Sequence, residues 1–387
     1  MKLKSIASVK NLKNKKVLVR VDFNVPLENT KVKDDYRIVS ALPTINLLIK
    51  AGAKVILMAH LGDPQSKVVP ALSLKPVARR LSQLLKKPVT FVPETVGYQA
   101  DKTIAKMLAS DVVFLENLRF NEGELKNDLK FAKRLAAYAD LYVNEAFSVC
   151  HRFQASVSAI KKLVPTYYGL QLVNEVTNLD KILKPNKPLI VVMGGAKIST
   201  KAPIISKLYD LADKILLGGG LANNFLKYSG LEIGKSLLDE DSQTVVKKFF
   251  NGKKLAAKIV LPEDVIVCDK NKQVKHKVVE KVLKTDTIFD IGPETMATFS
   301  SYIKDAQTIV WNGPLGKFED EPYKHGTLVI ATAIASRATG KAYGLVGGGE
   351  TVEALKQTKM EKYVDFVSTA GGAMLSYLGG EKMPGLK

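Results

Sequence analysis

The chain has 387 residues, 46% hydrophobic and 25% charged, with a formal net charge of +20. That length exceeds one ordinary core and predicts two domains, while no apolar run reaches the roughly 18–20 residues of a membrane span. The positive charge is spread as lysines with no dense run and no nucleic-acid motif, so neither a membrane nor a nucleic acid is an expected partner.

The N-terminus, Met1 to Ile6, carries no signal-peptide apolar core. The cysteines Cys150 and Cys268 lie far apart and match no disulfide or metal spacing. A cytoplasmic monomer is expected. Seven of the eight arginines fall in the first 152 residues. Arginine suits bidentate recognition of phosphate and carboxylate, so this bias predicts an anion site in the first half.

Strand-like and helical patterns alternate along the whole chain. The first-half strands are expected at Val17–Val21, Val55–Met58, Val89–Val92, Val112–Leu115 and Leu141–Asn144, with helices near Arg37–Ala51, Ser73–Lys86, Ile104–Ala109 and Asp128–Ala139. Val17–Val21 is apolar apart from Arg20 and reads as a buried parallel strand. Asp22, Asn24 and Pro26 follow it, where open α/β sheets bind ligands. Tyr167 to Leu183 reads as one helical run that ends at Lys184-Pro-Asn-Lys-Pro188 and joins two domains.

Second-half strands are expected at Leu189–Met193, Lys214–Leu217, Val265–Cys268, Thr287–Phe289, Thr308–Trp311, Ala342–Val346 and Val364–Val367. Several run into glycine turns: Gly194-Gly195, Gly218 to Gly220, Gly347 to Gly349 and Gly371-Gly372. Glycine lets a ligand approach the backbone, and the helix that follows offers free N–H groups. An Arg- and His-bearing half facing a glycine-rich half is the layout of a hinge-closing phosphotransferase. The P-loop, protein-kinase and dinucleotide fingerprints are all absent.

The segment Leu18-Val-Arg-Val-Asp-Phe-Asn-Val-Pro26 resembles the signature of the phosphoglycerate kinase family. Further motifs follow in the family's order: His60-Leu-Gly62, Glu116 to Phe120, Ala146-Phe147 with His151-Arg152, Gly194 to Lys197, Leu217 to Ala222, Gly292 to Thr295, Val310 to Gly316, Gly347 to Thr351 and Ser368 to Gly372. The resemblance spans Val17 to Leu386. It implies two Rossmann-like domains with parallel sheets joined by a hinge helix. The domains would be 1–168, with the tail 376–387 packing back on it, and 185–375, with the helix at 169–184 between them.

The resemblance also implies reversible phosphoryl transfer between 1,3-bisphosphoglycerate and ADP, giving 3-phosphoglycerate and ATP with Mg2+, a step of glycolysis and gluconeogenesis. Asp22, Phe23, Asn24, Arg37, His60, Leu61, Gly62, Asp63, Arg119, His151 and Arg152 would surround the glycerate. Gly195, Ala196, Lys197, Lys201, Gly292, Asn312, Pro314, Glu319, Gly348, Gly349, Glu350 and Thr351 would surround the nucleotide, with Glu350 on the metal. Arg37, Lys201, Gly348 and Gly349 would carry catalysis. An acyl phosphate needs no covalent intermediate, so positioning and cationic stabilisation of the transferring group suffice.

Five positions depart from the family pattern. Asp63 stands where an arginine is usual, Glu145 and Glu350 where aspartates are, Ser148 where a glycine is, and Gln154 where a second histidine is. Asp63 reverses a charge in the anion clamp. Asp63 and Glu350 motivate a competing reading, a catalytically weak or dead member that binds nucleotide as a regulator. A nucleic-acid-binding protein, suggested by the net charge, and an NAD-dependent dehydrogenase, suggested by two α/β domains, both lack their motifs.

Overall fold

The computed structural model describes residues 3–199, 201–239, 244, 246–247 and 258–386. The chain forms two compact units, Met1–Thr177 with Lys382–Lys387, and Asn178–Glu381. No described helix is long and apolar enough to cross a membrane.

The strands of the first unit are β1 (Lys16–Arg20), a short hairpin of β2 (Leu27–Glu28) and β3 (Lys31–Val32), β4 (Lys54–Met58), β5 (Thr90–Val92), β6 (Val112–Leu115), β7 (Leu141–Asn144) and β8 (Thr166–Tyr168). Among the described residues, six of them pair in parallel in the order β5-β6-β4-β1-β7-β8. The apolar runs exist because both faces are covered. Val17, Val19, Val55 and Leu57 enter one core, which the helix Tyr36–Lys50 fills with Ile38, Ala41, Ile45 and Leu48. Leu18, Ile56, Met58, Val113 and Leu115 enter the core on the other face.

In the second unit β9 (Leu189–Met193), β10 (Lys214–Leu217), β11 (Ile259–Val260), β15 (Thr308–Asn312), β16 (Tyr343–Gly347) and β17 (Phe366–Ser368) make a parallel sheet, in the order β11-β10-β9-β15-β16-β17. β12 (Asp264–Cys268), β13 (Val274–Val278) and β14 (Thr287–Ile291) form a separate antiparallel sheet, in the order β13-β12-β14. The runs at Val265 and Thr287 therefore leave the parallel pattern. The cause is the turn after Cys268, where Asp269 Oδ1 accepts from the Asn271 and Gln273 N–H groups and closes a hairpin. β13 escapes sequence detection because Val274, Lys275, His276 and Val278 are all exposed, so it has no buried face to betray its period.

Two further elements differ from expectation. The helix expected at Ile104–Ala109 lies at Tyr98–Ala105, started by Glu94, whose Oε1 accepts from the Ala100 N–H at 2.7 Å. The run Tyr167–Leu183 is not one helix: Thr166–Tyr168 pairs with β7, and the helix begins at Leu170. Gly169 lies between them, and a Cβ there would stand 1.9 Å from Glu145 Oε2.

Glu145 is buried at the start of that helix. It accepts from Thr44 Oγ1 and from the Gln171 and Leu172 N–H groups, each of the latter two at 3.2 Å. Burial pushes its carboxyl up to about 7, against the opposing pull of these bonds. The raised value means that the folded protein holds this proton where the unfolded chain has lost it, between pH 4.5 and about 7. Its contribution therefore weakens as pH rises through that window. Glu145→Gln is expected to cost more stability at about pH 5 than at about pH 7.5, by on the order of 2 kcal/mol. Urea denaturation of both proteins at the two pH values checks this; an equal or opposite difference overturns it.

Candidate functional site

The first cluster sits just beyond the C-terminal ends of β6, β4, β1 and β7, which are neighbours in the sheet. Asp22 and Asn24 follow β1, His60 and Gly62 follow β4, Arg119 follows β6, and His151 and Arg152 follow the turn after β7. Arg37 lies in the first turn of the helix Tyr36–Lys50. Its Nη1 donates to both oxygens of Asp22, at 2.8 and 3.0 Å. Asn24 Oδ1 accepts from the Gly62 N–H at 2.9 Å. Arg119 Nη1 donates to the Gly62 carbonyl at 2.7 Å and stands 4.0 Å from Asp63 Oδ1.

These bonds knit β1, β4 and β6 into one rim. Asn117 tightens it, donating to the Leu61 and Leu72 carbonyls and accepting from the Leu61 and Arg119 N–H groups. The Arg119 Nε is buried without a hydrogen-bond partner. A buried guanidinium N–H without a partner is costly.

His60 is 4% exposed. Burial, then the charges of Arg20, Arg119, Arg37 and Arg152, hold its pKa well below the ordinary histidine value. Four guanidinium charges thus disfavour the protonated imidazole, and one of them, Arg20, reaches it directly, Nη2 to Nδ1 at 3.0 Å. Of the other expected glycerate residues, Phe23 and Leu61 are buried in the core, Phe23 edge-on to Phe114 at 5.7 Å. Asp63 and Arg152 are exposed. Gln154, at the position of the second histidine, is buried.

The second cluster forms where β9, β10, β15 and β16 end in glycine turns. Gly194 packs against the Pro314 carbonyl, where a Cβ would come within 1.9 Å. Gly313, at φ +96°, lies against the Gly194 carbonyl. The Gly195 N–H donates to Pro314 O at 2.9 Å, and the Gly313 N–H to Thr351 Oγ1 at 2.7 Å. Asn312 Nδ2 donates to Gly347 O at 2.6 Å. Lys201 caps the helix Ala202–Leu211, and its Nζ donates to the Gly194 and Asn312 carbonyls. Burial lowers its pKa to about 8, opposed by the charge of Glu350.

Beside these turns lies a cavity of about 330 Å³, within the second unit. Its floor is apolar, with Leu226, Leu237, Pro262, Val265, Ile288 and Leu315. Gly195, Ala196, Pro314, Glu319 and Glu350, all expected around the nucleotide, line it. Lys197, Lys201, Asn312, Gly348, Gly349 and Thr351 lie outside its lining, in and beside the turns. Gly292 is also outside, though Ile291 next to it lines the wall. Trp311 is fully buried and donates from Nε1 to Gly313 O, as a packing residue.

Sequence reasoning missed Arg20 as part of the first cluster, although a charge in an apolar strand was a visible signal. It also missed Asp290, which lines the cavity and accepts from the Ile291 and Gly326 N–H groups. Burial pushes that carboxyl up to about 7. Its only sequence signal was a carboxylate at a strand end.

The family model "Phosphoglycerate kinase" matches residues 6–381. Phosphoglycerate kinases of a Wolbachia strain from Drosophila simulans and of Thermosipho africanus are each 42% identical. The first alignment covers 99% of this chain and 98% of the relative, the second 97% and 95%. The solved phosphoglycerate kinase of Coxiella burnetii superposes with a TM-score of 0.88 at 38% identity, over 100% of this chain and 98% of the other. That of Pyrococcus horikoshii gives 0.85 at 30% identity, over 99% and 98%. Motifs, fold and relatives agree over nearly the full length, and the chain belongs to the phosphoglycerate kinase family.

Proposed function

We propose that this chain transfers a phosphoryl group reversibly between 1,3-bisphosphoglycerate and ADP, giving 3-phosphoglycerate and ATP. The observation that carries the reading is the cluster of Arg37, Arg119, Arg152 and His60 beyond the C-terminal ends of neighbouring strands, with Arg37 fixed by Asp22 and Arg119 by the Gly62 carbonyl. Such a set is an anion clamp, sized for a phosphate and a carboxylate. The glycine turns and the apolar cavity of the second unit suit a nucleotide, with phosphates on backbone N–H groups and the base on Leu226, Pro262 and Leu315.

In this mechanism Asp22 fixes Arg37, so that its guanidinium is already oriented when charge spreads over the transferring group. Arg119 and Arg152 hold the distal phosphate. Lys201 neutralises the transferring phosphate from the nucleotide side. Domain closure, expected from the sequence, belongs to this proposal. Mg2+ commonly takes one or two protein carboxylates plus substrate phosphates. Glu350 lines the cavity and its charge reaches Lys201, which fits that pattern. Glu350 would hold the ion, which supplies charge neutralisation between the phosphates. A cytoplasmic monomer is part of the same reading.

A coupled assay with 3-phosphoglycerate and Mg-ATP tests it. Turnover is expected, and Arg37→Ala should lower kcat by about 10²–10³-fold. Absence of turnover in the parent, with Arg37→Ala indistinguishable from it, would sink the proposal.

A further inference from the structure

Arg20 is a charged side chain in the middle of the sheet, with no exposed surface. All three arms of its guanidinium are used. Nε donates to Ser156 Oγ at 3.0 Å, Nη1 to the Val21 carbonyl at 2.7 Å, and Nη2 meets His60 Nδ1 at 3.0 Å. Ser156 is itself clamped. Its hydroxyl donates to Glu124 Oε1 at 2.7 Å, its N–H donates to Glu124 Oε2 at 2.9 Å, and its carbonyl accepts from the Tyr142 hydroxyl. Glu124 and Ser156 are both fully buried. A buried chain therefore runs Glu124–Ser156–Arg20–His60, and its only part near the clamp is the imidazole.

Guanidinium has donors and no acceptor. A ring nitrogen that faces it at 3.0 Å must accept, so the proton of a neutral His60 must sit on the other nitrogen. We propose that Arg20 is a positioning residue for the glycerate clamp: it holds His60 as the Nε2-protonated neutral tautomer, so that the imidazole offers a hydrogen-bond donor and never acts as a base.

The surroundings favour this state. The charges that bear on His60 are Arg20, Arg119, Arg37 and Arg152, all cations. The nearby carboxylates are engaged elsewhere, Asp22 with Arg37 and Asp63 with Arg119. Lysine could not replace Arg20, because one ammonium cannot span three acceptors fixed in a plane. The proposal deepens the functional reading above and rests on it for the glycerate.

The test is long-range ¹H–¹⁵N spectroscopy of the substrate-free protein, whose four histidines simplify assignment. His60→Gln identifies the signal. The wild type should show one neutral tautomer with Nδ1 unprotonated, unchanged from about pH 5.5 to about pH 8. In Arg20→Met, His60 should sample both tautomers, while burial and the charges of Arg119, Arg37 and Arg152 still keep it neutral. The KM for 3-phosphoglycerate should rise about tenfold with kcat held.

Arg20→Lys should restore this only in part. Where Arg20→Met does not fold, Ser156→Ala, which frees the Nε arm, is read in its place. A wild-type His60 that is protonated on Nδ1, or is an imidazolium at neutral pH, overturns the proposal. So does a folded Arg20→Met with the wild-type tautomer. Because no substrate is present, the spectrum stands apart from turnover: an inactive chain with the expected spectrum refutes the function and leaves the role of Arg20 intact.

Discussion

Lys201→Met is expected to lower kcat by about 10²–10³-fold, because it removes a preorganised cation from the place where phosphoryl charge develops. The side chain is partly buried, and its Nζ is oriented by the Gly194 and Asn312 carbonyls. Neither bond needs a substrate, so the ammonium is in position before the nucleotide arrives. Methionine keeps the length and loses the charge. Steady-state assays in both directions give the measurement; a kcat within about threefold of the wild type would refute the role.

The pH dependence adds a second reading of the same residue. With its pKa near 8, Lys201 loses its proton in the free protein as pH rises through that value. The profile of kcat/KM should fall there, while that of kcat should fall at higher pH, since bound phosphates favour the charged form. The stability effect has the opposite sense to activity. The unfolded lysine titrates near 10.5, so between about 8 and 10.5 the unfolded state binds more protons and folding stability rises with pH from this group. Below about 8 the full desolvation cost of a buried charge is present. Lys201→Met removes it, so the variant should be inactive but no less stable at neutral pH. That separates a catalytic role from a structural one.

The parallel sheets were legible in the sequence because strands buried on both faces are written as continuous apolar runs. Val17 to Val21 and Leu189 to Met193 are such runs. β13 was not, since Val-Lys-His-Lys-Val lies at the edge of a small sheet with most of its side chains in water. The helix after Gly169 was visible, but the strand at Thr166–Tyr168 was hidden because aromatic residues suit a helix face and a strand alike. It is a strand because the edge of β7 is there to pair with.

Candidate site residues at strand ends, such as Asp22, Asn24 and Gly195, could be picked out from position alone. Arg37 and Lys201 needed the family motifs to distinguish them from surface helix residues. The partners that brace Arg20 and the rim at Arg119 could not be found from position. Glu124, Ser156 and Asn117 act over separations of 136 residues for Arg20–Ser156 and 56 for Asn117–Leu61, and no local pattern links residues so far apart.

Asp63→Arg is expected to lower the KM for 3-phosphoglycerate about tenfold and to leave that for ATP almost unchanged. Asp63 is 59% exposed, accepts from Gln65 Nε2 at 2.8 Å, and lies 4.0 Å from Arg119 Nη1. An ion pair so solvated contributes little to stability, so the substitution should leave folding largely intact. Its effect is felt in the clamp. The carboxylate would compete with an incoming phosphate for Arg119, whose Nη1 it faces. Arginine removes that competitor and adds a second fork. Asp63→Asn should deliver only the first part, and so fall between the two. The gain should shrink as ionic strength rises, because the group is exposed and screened within about 8 Å at physiological salt. If the KM for ATP moves instead, Asp63 does not face the glycerate. If neither moves, Arg119 holds the phosphate from a side that Asp63 does not reach, and the family's arginine has no counterpart at this position.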